Sequence, residues 1–189
     1  MARKKIAQHR ILDLSATLFV IVVVATLRSY LLPVGDESVA NTPTPIGTLL
    51  QGLGASLPLL AALAWALITM FAGLDAGRYG PKFSLYPAYT LMAIPIFGVV
   101  ASAVMVSGEY LLSGAAMLLM LFGTKYLVRC IMHTESYNDL SLSMLCYGTL
   151  PLVFAPAALF YIALPFLVLV VRNSWRDWLV SGSSLIFPL

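Results

Sequence analysis

Charged side chains are scarce in this sequence. Only 10% of its 189 residues are Asp, Glu, Lys or Arg, whereas 60% are hydrophobic. A soluble domain carries about 25% charged residues, so this chain has too little polar surface to cover a globule in water. The composition therefore excludes an ordinary soluble domain. It predicts an all-α polytopic transmembrane helical bundle, folded as a single transmembrane domain over residues 1–189.

Metal ligands and catalytic motifs are also rare. The two cysteines, Cys130 and Cys146, cannot form a disulfide framework. Cys130 lies close to His133, but His9 is the only other histidine, so a closed four-ligand metal site is not expected. The sequence contains no P-loop, no Gly-x-Ser-x-Gly motif and no basic stripe interleaved with aromatic residues. We therefore expect no cofactor, no bound metal and no nucleic-acid partner.

Six apolar stretches and a shorter seventh are predicted to form the helices of the bundle. A membrane helix needs about 20 apolar residues. The second stretch is longer than that, so it must tilt, kink at Pro58 or begin as an interfacial turn. The predicted helices cover residues 14–32, most of 46–72, 86–106, 110–128, 140–154 and 157–171, and the partial seventh covers 175–189.

The charge-free stretch 140–171 decides the predicted topology. As one helix it would measure about 48 Å, against a hydrocarbon core of about 30 Å. Pro151, Pro156 and Pro165 each remove a helical hydrogen bond as well. We therefore predict two short helices hinged near residues 155–156. A re-entrant pair or a thinned bilayer is the alternative.

The distribution of Lys and Arg predicts the orientation, because cytoplasmic loops are enriched in both. If residues 140–171 cross twice, every basic residue except Arg28 falls on one side, which makes the N-terminus cytoplasmic. The first helix is expected to be retained, because the signal-peptide-like cleavage site at 38–40 lies too far beyond the apolar core. The residues on the cytoplasmic side are Arg3, Lys4, Lys5, Arg10, Arg78, Lys82, Lys125, Arg129, Arg172 and Arg176.

An acidic pair, Asp36 and Glu37, follows the first predicted helix in the outer loop. The pair resembles the membrane glycosyltransferases that use lipid-linked sugar donors, in which a carboxylate acts as general base or metal ligand. That resemblance implies Asp36 and Glu37 as catalytic candidates, with Arg28 near a phosphate. Otherwise the pair is the solvated rim of a helix, and Arg28 extends to the outer headgroups.

A second candidate for lipid or phosphate contact follows the proline-rich stretch. Arg172 and Arg176 alternate here with Trp175 and Trp178. Arginines beside anionic headgroups and tryptophans at the interface are typical of a juxtamembrane anchor. Ser174 is also predicted to cap a helix, with an acidic residue three positions later in a capping-box arrangement.

The same segment, RNSWRDWL at residues 172–179, precedes a Phe-Pro near the end of the chain. It resembles an uncharacterised family of polytopic inner-membrane proteins of Bacteroidota, in which a proline-containing hairpin leads to an Arg-x-x-Trp-Arg-acidic-Trp turn and another helix. The resemblance covers residues 137–189 and implies a bacterial inner-membrane location, but no catalytic role. Because those proteins are longer, the chain is expected to be truncated at its C-terminus.

The sequence favours a non-catalytic structural or interaction component of the inner membrane. The expected partners are membrane lipids and either another membrane protein or a second copy of the chain. Small-residue pairs such as Gly52 and Ser56 permit close helix contact. One alternative is a fragment or relative of a lipid-linked sugar transferase. Another is a transporter or channel built on the broken stretch 140–171, although helices one to four carry no mid-span carboxylate or lysine.

Overall fold

The computed structural model describes residues 2–31, 44–82, 98, 108–132, 137–172 and 174–188. Within these ranges the chain forms seven α-helices, one 3₁₀ helix and no strand, so the predicted all-α class is confirmed. The helices are α1 (Ala2–Leu31), α2 (Pro45–Ser56), α3 (Pro58–Lys82), α4 (Glu109–Met132), α5 (Tyr137–Val153), the 3₁₀ helix (Ala155–Leu159), α6 (Phe160–Arg172) and α7 (Trp175–Ile186).

Two of the described helices are long and apolar enough to cross a membrane. They are the part of α3 from Pro58 to Asp75, and α4. The described apolar segments Ser15–Arg28 and Ala155–Phe166 are shorter. The third predicted helix, residues 86–106, lies outside the described residues except for Gly98. Six membrane spans and their orientation therefore remain a prediction.

The second predicted stretch divides into two helices at Leu57. Pro58 is the first residue of α3, where its missing N–H costs no hydrogen bond. Its ring disfavours a helical backbone at the preceding residue, so α2 ends at Ser56. Leu57 still donates its N–H to the Leu53 carbonyl over 3.1 Å, and its own carbonyl accepts from Ala61 over 2.9 Å. The stretch is thus interrupted at the position where the sequence allowed a kink.

One compact unit comprises Met1–Ser38 and Leu50–Gly114. Its described part is centred on the contact of α1 with α3. Trp65 and Tyr110 are fully buried there, with ring centroids 6.2 Å apart. The Tyr110 hydroxyl lies 3.4 Å from the carbonyl oxygen of Ala25 and donates to it. This buried aromatic pair therefore connects Trp65 on α3 to the backbone of α1 through Tyr110.

The other compact unit comprises Val39–Leu49 and Ala115–Leu189. Gly123 on α4 lies against the Tyr147 ring on α5, where a Cβ atom would come within 2.9 Å of the ring. Ser143 donates a 2.8 Å hydrogen bond to the Gly123 carbonyl, and the Thr124 and Tyr147 hydroxyls are 2.8 Å apart. Side-chain hydrogen bonds between apolar helices therefore accompany close packing in this unit.

The break predicted near residues 155–156 is located at Phe154. The Ala157 N–H bonds to the Phe154 carbonyl over 3.0 Å, which begins the 3₁₀ helix and leaves the Val153 carbonyl without its usual helical donor. The Thr44 hydroxyl donates to that carbonyl over 3.1 Å and accepts the Gly47 N–H at the start of α2. One threonine thus satisfies the ends of two helices.

Two of the three prolines do not interrupt their helices. Pro151 lies inside α5 and Pro165 inside α6, and both helices continue past them. Helix α7 packs mainly on α5 and less on α6. Ser141 and Ser184 share a 2.8 Å hydrogen bond across the α5–α7 contact, and the backbone of Gly148 touches the Leu185 carbonyl. The predicted partial seventh helix is therefore helical and packed.

Candidate functional site

The best candidate site is a groove between α6 and α7 with a volume of about 400 Å³. Four of its lining residues are aromatic, and the others are aliphatic or proline. We refer to it as the aromatic groove. Its lining residues are Tyr161, Ile162, Pro165, Phe166, Trp175 and Trp178.

The α7 wall consists of two tryptophans one helical turn apart. Residues at spacing three lie on the same face of a helix, which brings Trp175 and Trp178 together. Their ring centroids are 5.2 Å apart with an interplanar angle of 23°, a stacked pair. Trp175 is 70% exposed and Trp178 37% exposed. The pair presents a broad, stiff apolar surface, because stacked rings restrict each other's rotamers.

The α6 wall uses residues at helical spacing of four. Ile162 and Phe166 lie on the same face and are each 66% exposed. Tyr161 lies next to them, but its hydroxyl donates to the Gly148 carbonyl on α5 over 2.6 Å. The polar end of the tyrosine is therefore bonded to the neighbouring helix, and the groove keeps an apolar surface. Contact with an apolar ligand or an apolar solvent is therefore more favourable for this surface than contact with water.

Two predicted lipid-contact arginines belong to the helices that form the groove. Arg172 is the last residue of α6, and Arg176 is an exposed residue in the first turn of α7. The neighbouring Asp177 is only 4% exposed, so its carboxyl group lies beneath the surface that Arg176 and the two tryptophans present. The start of α7 therefore combines exposed aromatic rings with an exposed arginine beside a buried carboxyl group.

The start of α7 only partly follows the predicted capping box. Ser174 has the extended backbone of an N-cap residue, with φ −114° and ψ 133°, so α7 begins where expected. Its hydroxyl makes no capping hydrogen bond, and that part of the prediction is wrong. The first bond of the helix instead joins the Trp178 N–H to the Ser174 carbonyl over 3.2 Å. Backbone geometry, not the side chain, defines this helix end.

The third predicted lipid-contact residue, Arg28, lies in the last turn of α1 and is half-buried. The catalytic candidates Asp36 and Glu37 lie outside the described residues. The sugar-transferase alternative therefore depends on sequence alone. The transporter alternative requires a polar cavity beside Pro151–Pro156, and the aromatic groove, being apolar, does not supply it.

Ligands for a metal are not gathered anywhere in the described part of the chain, where no group of three or more His, Cys, Asp or Glu side chains occurs. Cys130 is buried in a hydrophobic cluster with Leu140 and Met144, and Cys146 is half-buried. His133 falls in the undescribed segment between α4 and α5.

The sequence prediction missed the α6 half of the groove. It identified Arg172 at the end of α6 and Arg176, Trp175 and Trp178 on α7, but not the groove residues Tyr161, Ile162 and Phe166. The spacing of Ile162 and Phe166 marks a shared face. That signal does not distinguish a groove wall from ordinary lipid-facing surface, since both are apolar.

Comparison of the chain with protein-family models, with curated proteins and with solved structures yields no match.

Proposed function

We propose that this chain is a multi-pass integral protein of the bacterial inner, or cytoplasmic, membrane, with a non-catalytic structural or interaction role. The observation that carries the proposal is the exposure of large apolar side chains along helices that are themselves apolar. On α3, exposed and buried positions alternate with helical periodicity around the buried Trp65. Its exposed large apolar residues are Leu59, Leu60, Leu63, Leu67 and Phe71.

Helix α4 supports a lipid environment in a second way. It is predominantly apolar over Glu109–Met132, with Glu109, Lys125 and Arg129 as its only charged residues, yet only 17% of it is buried within the protein. The core helix of a soluble protein is apolar because it is enclosed. Apolar surface left in water costs about 25 cal/mol for each Å². Hydrocarbon around α4 removes that cost, so lipid is the solvent that suits it.

We further propose six spans, a partial seventh and a cytoplasmic N-terminus. The support is the distribution of basic residues together with the break at Phe154, which divides residues 140–171 into α5 and α6. A chain that reverses there returns Arg172 and Arg176 to the side of the N-terminus. The resemblance to the inner-membrane family of Bacteroidota supports the same location.

The interaction role is supported by one face of α2. Gly52 is exposed, and a Cβ atom built on it would have no neighbour within 4 Å. Ser56 and Leu53 are exposed beside it. Small residues at spacing four let a second helix approach closely in a membrane. The partner we propose is a transmembrane helix of another protein or of a second copy.

Membrane fractionation tests this function most directly. The full chain is expressed in a bacterium, and the membranes are washed at alkaline pH before extraction with detergent. The protein is expected to stay with the washed membranes and to enter the detergent extract. Release by the alkaline wash would show a peripheral or soluble protein and would refute the proposal.

A further inference from the structure

Helices α5 and α7 form a firmer pair than either of them forms with α6. The backbone of Gly148 touches the Leu185 carbonyl, and the hydroxyl groups of Ser141 and Ser184 share a 2.8 Å hydrogen bond. Helix α7 packs mainly on α5 and less on α6, and of the three helices α5 and α6 contact each other least. The α5–α7 pair therefore provides a fixed surface against which α6 lies.

Helix α6 is connected to that pair through a break in the helical backbone. Helix α5 ends at Val153, and the 3₁₀ helix Ala155–Leu159 leads into α6. The Thr44 hydroxyl donates to the Val153 carbonyl over 3.1 Å, so a hydrogen bond fixes the α5 side of the break. Phe154 lies between the two helices. Residues at the ends of helices are the ones that absorb the backbone rotation of a hinge.

The buried face of α6 does not fix the position of this helix in lipid. Leu164 and Val168, which lie one turn apart, are buried in a hydrophobic cluster with residues of α4, α5 and α7. In water, that burial would hold α6 in place. In a membrane, hydrocarbon solvates such side chains about as well as another helix does, so close packing and hydrogen bonds hold helices together instead. Between α6 and α5, the Tyr161 hydroxyl supplies such a bond to the Gly148 carbonyl over 2.6 Å.

We infer that α6 pivots about Phe154, between the closed position of this structure and an open position that widens the aromatic groove. The hydrogen bond from Tyr161 to Gly148 holds the closed position and breaks on opening. Phe166 lies farther along α6 from the pivot than Tyr161, so it moves farther from the tryptophans of α7. This inference rests on the proposed membrane location, because lipid, unlike water, solvates the apolar faces that separate.

Quenching of a bimane dye by tryptophan measures this movement, because the quenching acts only at short range. Phe166→Cys carries the dye in a background with Cys130→Ala and Cys146→Ser, and the purified full chain is placed in phosphatidylcholine nanodiscs. Trp175 and Trp178 line the groove together with position 166 and act as the quenchers. Replacement of both by Phe gives the unquenched reference. The fluorescence decay then gives the ratio of open, unquenched molecules to closed, quenched ones.

With Tyr161 in place, the decay is expected to contain an open component of roughly 1–10%, as for the minor state of a two-state protein. Tyr161→Phe should raise the ratio of open to closed molecules about three-fold, which is the effect of one hydrogen bond of the strength usual between membrane helices. Ser141→Ala is the matched control, because it removes a hydrogen bond between α5 and α7 and none from α6. It should leave the ratio unchanged.

A ratio that Tyr161→Phe does not change would overturn the inference. An equal response to Ser141→Ala would also overturn it, because α7 would then be the helix that moves. If Tyr161→Phe does not fold, the decay of the protein with Tyr161 decides: an open component supports the pivot, and a fully quenched decay refutes it. A failure of the membrane proposal looks different, because the protein would then leave the membrane in the alkaline wash.

Discussion

The hydroxyl group of Tyr161 on α6 donates a 2.6 Å hydrogen bond to the carbonyl oxygen of Gly148 on α5. The backbone of the same glycine touches the Leu185 carbonyl on α7. Gly148 is therefore the point at which three helices meet. The Tyr161 hydroxyl joins α6 to α5 across the break at Phe154. Because Gly148 has no side chain, α7 can pack closely against α5 at the same residue.

Removal of the Tyr161 hydroxyl tests the closure of this hairpin. Tyr161→Phe should lower the free energy of unfolding by about 0.6 kcal/mol, with an upper bound of about 1.7 kcal/mol, as measured for hydrogen bonds between membrane helices. Denaturant unfolding of the detergent-solubilised protein measures the change. Tyr126→Phe on α4 controls for the loss of one hydroxyl group. Equal effects of the two substitutions would contradict the role of Tyr161.

Substitution of Gly148 tests the contact with α7. A Cβ atom there would collide with the Leu185 carbonyl, a backbone atom that cannot rotate away. Gly148→Ala should cost about 1–3 kcal/mol through overpacking. Gly182→Ala on α7 is the matched control, since nothing lies within 4 Å of its Cβ position. It should stabilise the helix by up to about 1 kcal/mol. Effects of the same sign would refute this packing.

A double-mutant cycle tests the α5–α7 contact from its other end. Ser141 and Ser184 share a 2.8 Å hydrogen bond, so Ser141→Ala and Ser184→Ala should show a coupling energy of about 0.6 kcal/mol. Ser183→Ala replaces the second partner in the control cycle, because its hydroxyl bonds to the Val180 carbonyl within α7. Coupling in the control cycle, or its absence in the test cycle, would contradict the contact.

The proposed topology predicts which cysteines a membrane-impermeant reagent reaches. In a background with Cys130→Ala and Cys146→Ser, Lys4→Cys and Arg176→Cys should both be labelled only after the cytoplasmic side is opened. Asp36→Cys should react in intact spheroplasts. Labelling of position 176 from outside would show that residues 140–171 cross once, and the proposed orientation would fail beyond that stretch.

Helical structure was predictable from the chain because its causes are local. Long apolar runs favour helices in lipid, and a proline acts on its own turn, which explains the breaks next to Pro58 and Pro156. The expectation that a proline interrupts its helix was wrong for Pro151 and Pro165. A helix continues past a proline where the packing around it offsets the lost hydrogen bond.

The groove and the junction at Gly148 depend on packing between distant segments. Whether Phe166 is part of a plain exposed surface or lines a groove with Trp175 depends on where α7 lies against α6, and no residue near Phe166 carries that information. The hydroxyl group of Thr44 likewise donates a hydrogen bond to the Val153 carbonyl, although more than a hundred residues separate the two in the sequence. Composition and spacing describe what each helix can bury. Which surfaces meet is set by the free energy of the assembled helices, and that depends on all of them together.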